Sequence, residues 1–284
     1  MKKTNKRRKK RMSLANKIDF AVIFSVKNAN PNGDPLNSNR PRVTYEGIGE
    51  VSDVCLKRKI RDRLLEDGYA IFVQSDDRKT DSAKSLKERA DACLGKKLGG
   101  AETVKLACET WFDVRAFGQL FAFKSSKDDG AGVSIGIRGP VTVQTAFSAK
   151  PVSITSTQIT KSVSGEEGKD GKRAADTMGM KHRVDEGVYV FFGSMNPQLA
   201  EKTGFSDEDA ETIKGILPKL FENDASSARP EGSMCVNKVF WWKHSCKSGQ
   251  YSSAKVHGTL SVNSDGSYTL NNLDGLVSEV IDGF

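Results

Sequence analysis

The chain has 284 residues, 37% of them hydrophobic and 28% charged, which is typical of a globular protein with a sizeable core. Its 26 Gly and 8 Pro fit neither a collagen-like nor a low-complexity chain. No apolar run approaches the roughly 18 to 20 residues that a membrane-spanning helix needs. Met1 to Arg11 carries charge but no apolar stretch, so it is unlike a secretory signal, and we expect a cytoplasmic protein with no membrane partner.

The formal net charge of +8 is concentrated at the start of the chain. Residues 1–17 hold nine Lys or Arg and no acid, so the remainder has 35 basic and 36 acidic residues and a net charge of −1. A run of like charges repels itself, which predicts a disordered basic tail that could hold nucleic acid loosely through phosphates. The alternative, that Met12 is the true initiator, stays open. A nucleic-acid partner must therefore be argued from charge placement after residue 17.

The first predicted element is a strand from Asp19 to Lys27. Large apolar residues at every second position share one face, while Ala21 and Ile23 share the other, the pattern of a central strand packed on both sides. The strand ends at residues 28–35, where Asn, Pro, Gly and Asp dominate and predict a structured turn.

Ser52 then offers an N-cap to a predicted helix from about Asp53 to Glu66. Its apolar residues fall in one compact stripe, and basic residues flank that stripe on both edges with only Asp62 in opposition. Like charges so close repel one another unless anions are near, and a phosphate backbone would supply anions. The alternative is that these side chains only solvate the helix surface.

Further elements follow with irregular spacing, which favours an α+β fold over a doubly wound parallel sheet. Polar, helix-compatible sequence from Asp81 to Leu106 predicts a small helical insertion. Strands are predicted at about 111–123, 133–137, 141–147, 154–162, 188–192, 234–242 and 254–262, and a helix at about 206–221.

A polar connection of more than twenty residues separates the strands at 154–162 and 188–192. Its far half, Thr177 to Arg183, places two methionines among cations, a combination suited to wedging between nucleic-acid bases. The alternative is a surface loop whose methionines are incidental.

Five stretches in order resemble one family, the backbone subunits of type I CRISPR surveillance complexes, most closely the type I-C branch of the Cas-seven proteins. The stretches are FAVIFSVKNANPNGDP (20–35), EVSDVCLKRKIRDRL (50–64), WFDVRAFGQLF (111–121), IRGPVTVQ (137–144) and DTMGMKHRVDEGVYVFFG (176–193). The first two are the most specific, and the match is loose after residue 196.

The resemblance implies an α+β fold with an RRM-like, ferredoxin-type palm sheet, a helical finger insertion at about 67–110 and a thumb hairpin at about 150–187. Residues 18–284 would form a single domain after the basic tail. Copies would polymerise head-to-tail along a guide RNA, which reads target DNA by pairing while the protein holds its backbone. Further partners would be the large subunit and the subunit that caps the RNA ends.

The candidate RNA contacts combine phosphate-gripping cations with amide side chains that can bond phosphate or the 2′-hydroxyl. They are Asn28, Asn30, Asn32, Arg40, Arg42, Lys57, Arg58, Lys59, Arg61, Arg115, Arg138 and Gln144. By analogy with the family, the thumb would displace a base at regular intervals. Its candidate residues are Met178, Met180, Lys181, His182 and Arg183.

Two other function classes stay open. A metal-dependent RNA-processing nuclease would want clustered carboxylates, and Asp19, Asp34 and Asp53 are the only plausible trio near the cationic helix. A stand-alone RNA chaperone would present exposed aromatics, whereas the aromatic strands look buried. No familiar catalytic motif occurs, so we expect no catalytic residue, cofactor or metal.

The five cysteines lack zinc-ligand spacing and are odd in number. We therefore expect cysteines packed in the core.

Overall fold

The structure is a computed structural model that describes residues 12–95, 98–100, 102–123, 133–160 and 178–284. The basic tail through Arg11, and the part of the predicted thumb at residues 161–177, lie outside this set. The helices are α1 Asp53–Glu66, α2 Leu86–Leu94, α3 Thr103–Thr110, α4 Phe112–Phe117, α5 Pro197–Thr203, α6 Asp207–Ile216 and α7 Ser253–His257, with 3-10 turns at Pro35–Asn37 and Leu217–Lys219.

The strands run through the whole described chain. They are β1 Ile18–Ala29, β2 Gly33–Asp34, β3 Arg40–Pro41, β4 Ile48–Val51, β5 Gly118–Phe123, β6 Val133–Arg138, β7 Val141–Val143, β8 Ala146–Pro151, β9 Ile154–Thr160, β10 Met178–Met195, β11 Met234–Lys243, β12 Leu260–Val262, β13 Tyr268–Leu270 and β14 Glu279–Asp282.

Within the described residues an eight-stranded sheet forms the centre of the fold. Its order is β14-β11-β1-β10-β8-β4, all pairs are antiparallel, and β7 and β9 also pair with β10. Helices and an antiparallel sheet together confirm the predicted α+β class. No helix of the described residues is both long and apolar enough to cross a membrane.

Strand β1 is buried on both faces, as its sequence predicts. Phe20, Val22 and Phe24 pack into the main core with α1, α4 and α6, whereas Ala21 and Ile23 pack into a smaller cluster with α7 and the β12-β13 hairpin. Burial of large side chains on both faces makes β1 the centre of the fold, since each such side chain contributes roughly 1.5–3 kcal/mol.

The alternation of β1 changes phase at Asn28, whose φ is +54°. Val26 and Ala29, three residues apart, consequently both lie in the main core. Asn tolerates the left-handed region better than most residues. One reason for an asparagine at this position is therefore the backbone geometry at the end of the strand.

Helix α1 has the predicted bounds and the predicted N-cap, because the Ser52 hydroxyl accepts a hydrogen bond from Cys55 N. Two other predictions are wrong. Residues 112–117 of the predicted strand 111–123 form α4, and residues 253–257, which overlap the predicted strand 254–262, form α7. Five consecutive residues of α4 are buried, so its apolar pattern does not distinguish a helix from a strand.

The stretch predicted as a helical insertion contains α2 and α3. These helices pack with β5 and β6 around Phe72, Trp111 and Phe121, whose rings lie 4.7 to 6.5 Å apart. This cluster is separate from the main core, so α2 and α3 have their own apolar contacts.

Candidate nucleic-acid interface

Strand β10 continues past the end of β1 and forms a ribbon with β9. Ala29 of β1 pairs with Val184, whereas residues 178–183 pair with β9 alone, from Met178 opposite Thr160 to Arg183 opposite Thr155. We call residues 154–160 and 178–184 the ribbon. The ribbon lies within residues 150–187, the range predicted for the thumb, and the candidate thumb residues lie on this two-stranded extension of the central sheet.

One face of the ribbon carries Met178, Met180 and His182, because alternate residues of a strand share a face. The two methionines are 69% and 54% exposed. His182 is buried, and its Nδ1 lies 2.8 Å from the Ser156 hydroxyl, which also accepts a hydrogen bond from Arg40 Nη1 at 2.9 Å. Arg40 thus connects the loop after β1 to the base of the ribbon.

The Nε2 atom of His182 is buried and has no hydrogen-bond partner among the described residues. A buried polar atom without a partner costs free energy, so such atoms commonly mark places where a ligand or water completes the bonding. The Ser156 hydroxyl links this imidazole to the Arg40 guanidinium. A ribose hydroxyl or a phosphate oxygen has the chemistry to bond both side chains.

The opposite face of the ribbon carries Lys181 and Arg183. Lys181 is exposed, and Arg183 Nε lies 3.6 Å from Asp185 Oδ1 at the protein surface. Exposed pairs of this kind contribute little to stability, so Arg183 can exchange Asp185 for another anion at low cost. Cations on one face and exposed methionines on the other suit a strand of nucleic acid.

The cations of α1 have protein partners. The sequence alone suggests that these cations repel one another unless the phosphates of a nucleic acid are near. Lys57 Nζ is 2.9 Å from Asp53, Arg58 donates to Val73 O at 2.8 Å, and Arg61 Nε is 3.0 Å from Asp113 Oδ2. Burial lowers the pKa of Arg61, and the Asp113 carboxylate opposes that shift. Protein groups, some of them distant in sequence, therefore take the place that the sequence suggested for phosphate.

Lys59 and Arg115 differ from the other candidate cations because both are buried. Lys59 is buried and paired with Asp224. Arg115 is buried, binds both Asp209 oxygens at 2.8 and 2.9 Å, and stacks over Phe112. Their charged groups are held inside the protein in this conformation, so the RNA contact predicted for these two side chains has no support from their surroundings.

The asparagines of the loop after β1 differ in accessibility. Asn30 is buried and donates to Asn39 O at 2.7 Å, and Asn32 accepts from the backbone and hydroxyl of Ser52 at 3.0 and 2.9 Å. Both therefore hold the loop in shape. Asn28 is exposed.

The remaining predicted contacts differ in the same way. Arg42 lies 3.6 Å from Asp34 and is partly exposed. Arg138 at the end of β6 and Gln144 just after β7 are exposed. RNA contact stays a prediction for all of the candidate residues and for the ribbon. Those outside the ribbon that are at least partly exposed are Asn28, Asn32, Arg40, Arg42, Lys57, Arg58, Arg61, Arg138 and Gln144.

The carboxylates proposed for a nuclease have different partners. Asp34 caps a 3-10 turn by accepting from Leu36 N at 3.2 Å, and Asp53 pairs with Lys57. Asp19 is fully buried against His244 and His257. No group of three or more metal-ligating side chains occurs in the part of the chain that the structure describes.

The buried cluster at Asp19 joins residues more than 220 positions apart. His244 Nδ1 accepts from Gln250 N at 2.9 Å, so its Nε2 carries the hydrogen and donates to Asp19 Oδ2 at 2.9 Å. Lys17 Nζ lies 3.2 Å from the same oxygen. Burial by itself raises the pKa of Asp19, but the hydrogen bonds of His257, Ser253 and His244 and the charge of Lys17 lower it to about 2.

Sequence reasoning misses two features of this surface. Ser156 bridges Arg40 and His182, and Lys17, which by sequence belongs to the basic tail, is partly buried beside Asp19. Ser156 faces His182 through the pairing of β9 with β10, so nothing local in the sequence marks it. Lys17 is only two residues from Asp19, but the sequence does not show that this carboxylate is buried. The exposed methionines, by contrast, are signalled by their cationic neighbours.

Only some of the cysteines lie where they are expected. All five are free. Cys108 is buried, and burial raises its pKa to about 11, whereas Cys93 and Cys235 are exposed. The prediction of core packing is therefore wrong for those two.

The fold and site together define an α+β protein with a projecting, basic two-stranded ribbon whose chemistry suits ribose and phosphate. The family described as CRISPR-associated protein Cas7 matches residues 16–276, and the chain belongs to that family. A CRISPR-associated protein Cas7 from Haloferax volcanii is 26% identical over 291 residues, covering 95% of this chain and 82% of that protein.

Two solved structures are also similar. A chain of a "CRISPR RNA-guided surveillance complex, pre-nicking" has a TM-score of 0.47 at 14% identity, covering 80% of this chain and 78% of its own. A chain of a "CRISPR RNA-guided surveillance complex" has a TM-score of 0.42 at 17% identity, covering 80% and 68%.

Proposed function

We propose that this protein is the backbone subunit of a CRISPR surveillance complex and that head-to-tail copies hold a guide RNA for pairing with target DNA. The observation that supports this most is the ribbon: a basic, methionine-tipped extension of the central sheet in a chain that belongs to the Cas7 family. Base pairing would read the sequence while the protein holds the RNA backbone.

The mechanism assigns different tasks to the two ends of the ribbon. At its base, Arg40, Ser156 and the free Nε2 of His182 would bond phosphate and ribose. At its tip, the exposed Met178 and Met180 would press between adjacent bases and displace one of them. No step needs bond making or breaking, so the protein would act by binding alone.

A near-neutral charge beyond the tail agrees with this arrangement. A single copy would contact few phosphates and bind weakly, whereas copies joined on one RNA would gain avidity. A head-to-tail contact that does not close on itself generates an open helix. The large subunit, the end-capping subunit, a type I-C assignment and a cytoplasmic location belong to this proposal.

Size-exclusion chromatography with RNAs of increasing length tests the proposal. The expected particles grow in steps as the RNA lengthens, because each added segment accommodates another copy. A stand-alone chaperone would give small particles whose size ignores RNA length. That result would contradict the proposal.

Variants of the ribbon test its two tasks separately. Met178→Ala with Met180→Ala should leave assembly intact and change the chemical reactivity of the displaced bases, and an unchanged reactivity pattern would exclude the wedge. Lys181→Glu with Arg183→Glu should weaken RNA binding equally for all sequences, because phosphate contacts carry no sequence information. A matched control is Lys105→Glu on α3, which is exposed and lies outside the ribbon.

Incubation with labelled guide precursor and Mg²⁺ tests whether the protein only binds. We expect the precursor to remain uncut. Site-specific cleavage that disappears in Asp34→Ala would overturn this part of the proposal and favour the nuclease alternative.

A further inference from the structure

A cavity of about 570 Å³ lies at the end of β10 that is opposite the ribbon. Its wall combines residues from the segment just before β1, the end of β6, the end of β10, helix α5 and the segment that leads into α7. The polar side chains of the wall include Lys17, Arg138, Ser194, Gln198, Ser248 and Ser252. The volume is in the range of sites for small ligands.

The charge of the cavity wall has one sign. Two of the lining residues are cations and none is Asp or Glu. Lys17 is already engaged, since its Nζ donates to Tyr251 O at 3.1 Å and lies 3.2 Å from Asp19 Oδ2. Arg138 is exposed and forms no ion pair within the described residues. Its charge is therefore the uncompensated one, and a cleft lined by one sign of charge concentrates ions of the opposite sign.

The uncharged polar groups of the wall add hydrogen-bond donors to this charge. Ser194, Ser248 and Ser252 contribute hydroxyls, and Gln198 contributes an exposed amide. The Ser194 hydroxyl lies 2.8 Å from the Thr142 hydroxyl. The Ser252 hydroxyl accepts from Lys255 N at 3.3 Å and keeps its own hydrogen for a ligand. A guanidinium with several neutral donors is the usual surrounding of a phosphate group, because its oxygens accept many hydrogen bonds and Arg can bind two of them at once.

We infer that this cavity binds a phosphate group, with Arg138 as the principal contact and the serine hydroxyls as further donors. This inference rests on the proposed function for its source, a phosphodiester of the guide RNA. Inorganic phosphate shares the chemistry. The site is distinct from the ribbon, because about fourteen residues of β10, or roughly 45 Å of extended strand, separate Ser194 from Met180.

The test uses the full-length protein and two probes. Fluorescence anisotropy with a labelled single-stranded RNA over a salt series gives affinity and salt slope, and calorimetry with inorganic phosphate reports the smaller ligand. Arg138→Ala should weaken RNA binding about tenfold. It should also lower the salt slope by about 0.7, the value for one phosphate contact on a single strand. Inorganic phosphate should also bind measurably more weakly to the Arg138→Ala protein than to the unchanged protein.

Lys105→Ala is the matched control, since it removes one exposed positive charge outside the cavity. If Arg138→Ala does not fold, Gln198→Ala on the surface of α5 replaces it, with an expected loss of a few fold. Weaker binding of both probes supports an RNA phosphodiester as ligand. Weaker binding of inorganic phosphate alone supports the cavity as a site for a small anion.

An Arg138→Ala protein that binds both probes like Lys105→Ala overturns the inference. The proposed function survives that result if Lys181→Glu with Arg183→Glu still weakens RNA binding. Conversely, particles that ignore RNA length contradict the proposed function, and the phosphate titration still decides whether the cavity is a site.

Discussion

Gly49 in β4 lies directly against the ring of Tyr189 in β10. A Cβ added at Gly49 would be 2.2 Å from the Tyr189 hydroxyl oxygen and 2.7 Å from the carbon that bears it. Tyr189 is fully buried, stacks on Phe24 at 5.3 Å, and has a pKa raised by burial. The tyrosine therefore has no room to move away without disturbing the core.

We expect Gly49→Ala to lower the free energy of unfolding by about 1–3 kcal/mol, the usual cost of overpacking a core. Gly215→Ala is a matched control, because a Cβ there meets nothing within 4 Å and the residue lies in α6. That control should be neutral or gain up to about 1 kcal/mol. Urea denaturation measures both, and equal stability of the two variants would contradict the contact.

The buried carboxylate of Asp19 makes the free energy of unfolding depend on pH. Its pKa of about 2 in the folded protein lies below the ordinary 3.8, so the unfolded chain binds the proton first. The resulting stabilisation is present above the ordinary pKa and is lost as the pH falls towards 2. It amounts to about 2 kcal/mol. Urea unfolding between about pH 5 and pH 2 should show this loss, and Asp19→Asn should flatten it; an equally steep curve would refute the assignment.

Helices α4 and α6 are joined by the buried pair of Arg115 and Asp209. Asp209 also completes the N-terminal capping box of α6 with Ser206. Local sequence predicts such caps, as it predicts α1 from Ser52, because the partners are three residues apart. It does not predict the ion pairs of Arg115 or Arg61, whose acids are 94 and 52 residues away.

Arg115→Leu should cost about 3–5 kcal/mol of stability, because it leaves Asp209 charged and buried. RNA affinity of the remaining folded protein should not change. Thermal unfolding and anisotropy measured on the same sample check both points. A stable variant with weak RNA binding would restore Arg115 to the interface.

At the scale of the whole molecule, the excess positive charge lies outside the two proposed binding surfaces. The eight basic residues of positions 1–11 account for the net positive charge, whereas the ribbon and the cavity belong to the near-neutral remainder. The net charge therefore does not indicate where in the near-neutral remainder the proposed RNA contacts lie. The sequence predicts side chains whose signal is local, as at the exposed Met178 and Met180, and does not predict contacts that strand pairing assembles, as at Ser156.

Replacing the eight basic residues of positions 1–11 by Ser should reduce the salt dependence of RNA binding by several units, since each phosphate contact on a single strand contributes about 0.7. The dependence of particle size on RNA length should remain. Size-exclusion chromatography and a salt series on the same preparations test this prediction. Loss of the long particles would show that assembly requires the basic tail.

Strand β10 is one uninterrupted run of 18 residues, or about 60 Å, from the methionine tip to the cavity wall. A hinge between two contact points would allow their separation to vary from copy to copy. A continuous strand does not, so an array built from this chain would advance along its RNA with a constant stride. Inserting a single residue midway would invert every side chain beyond it and put the two contacts out of phase.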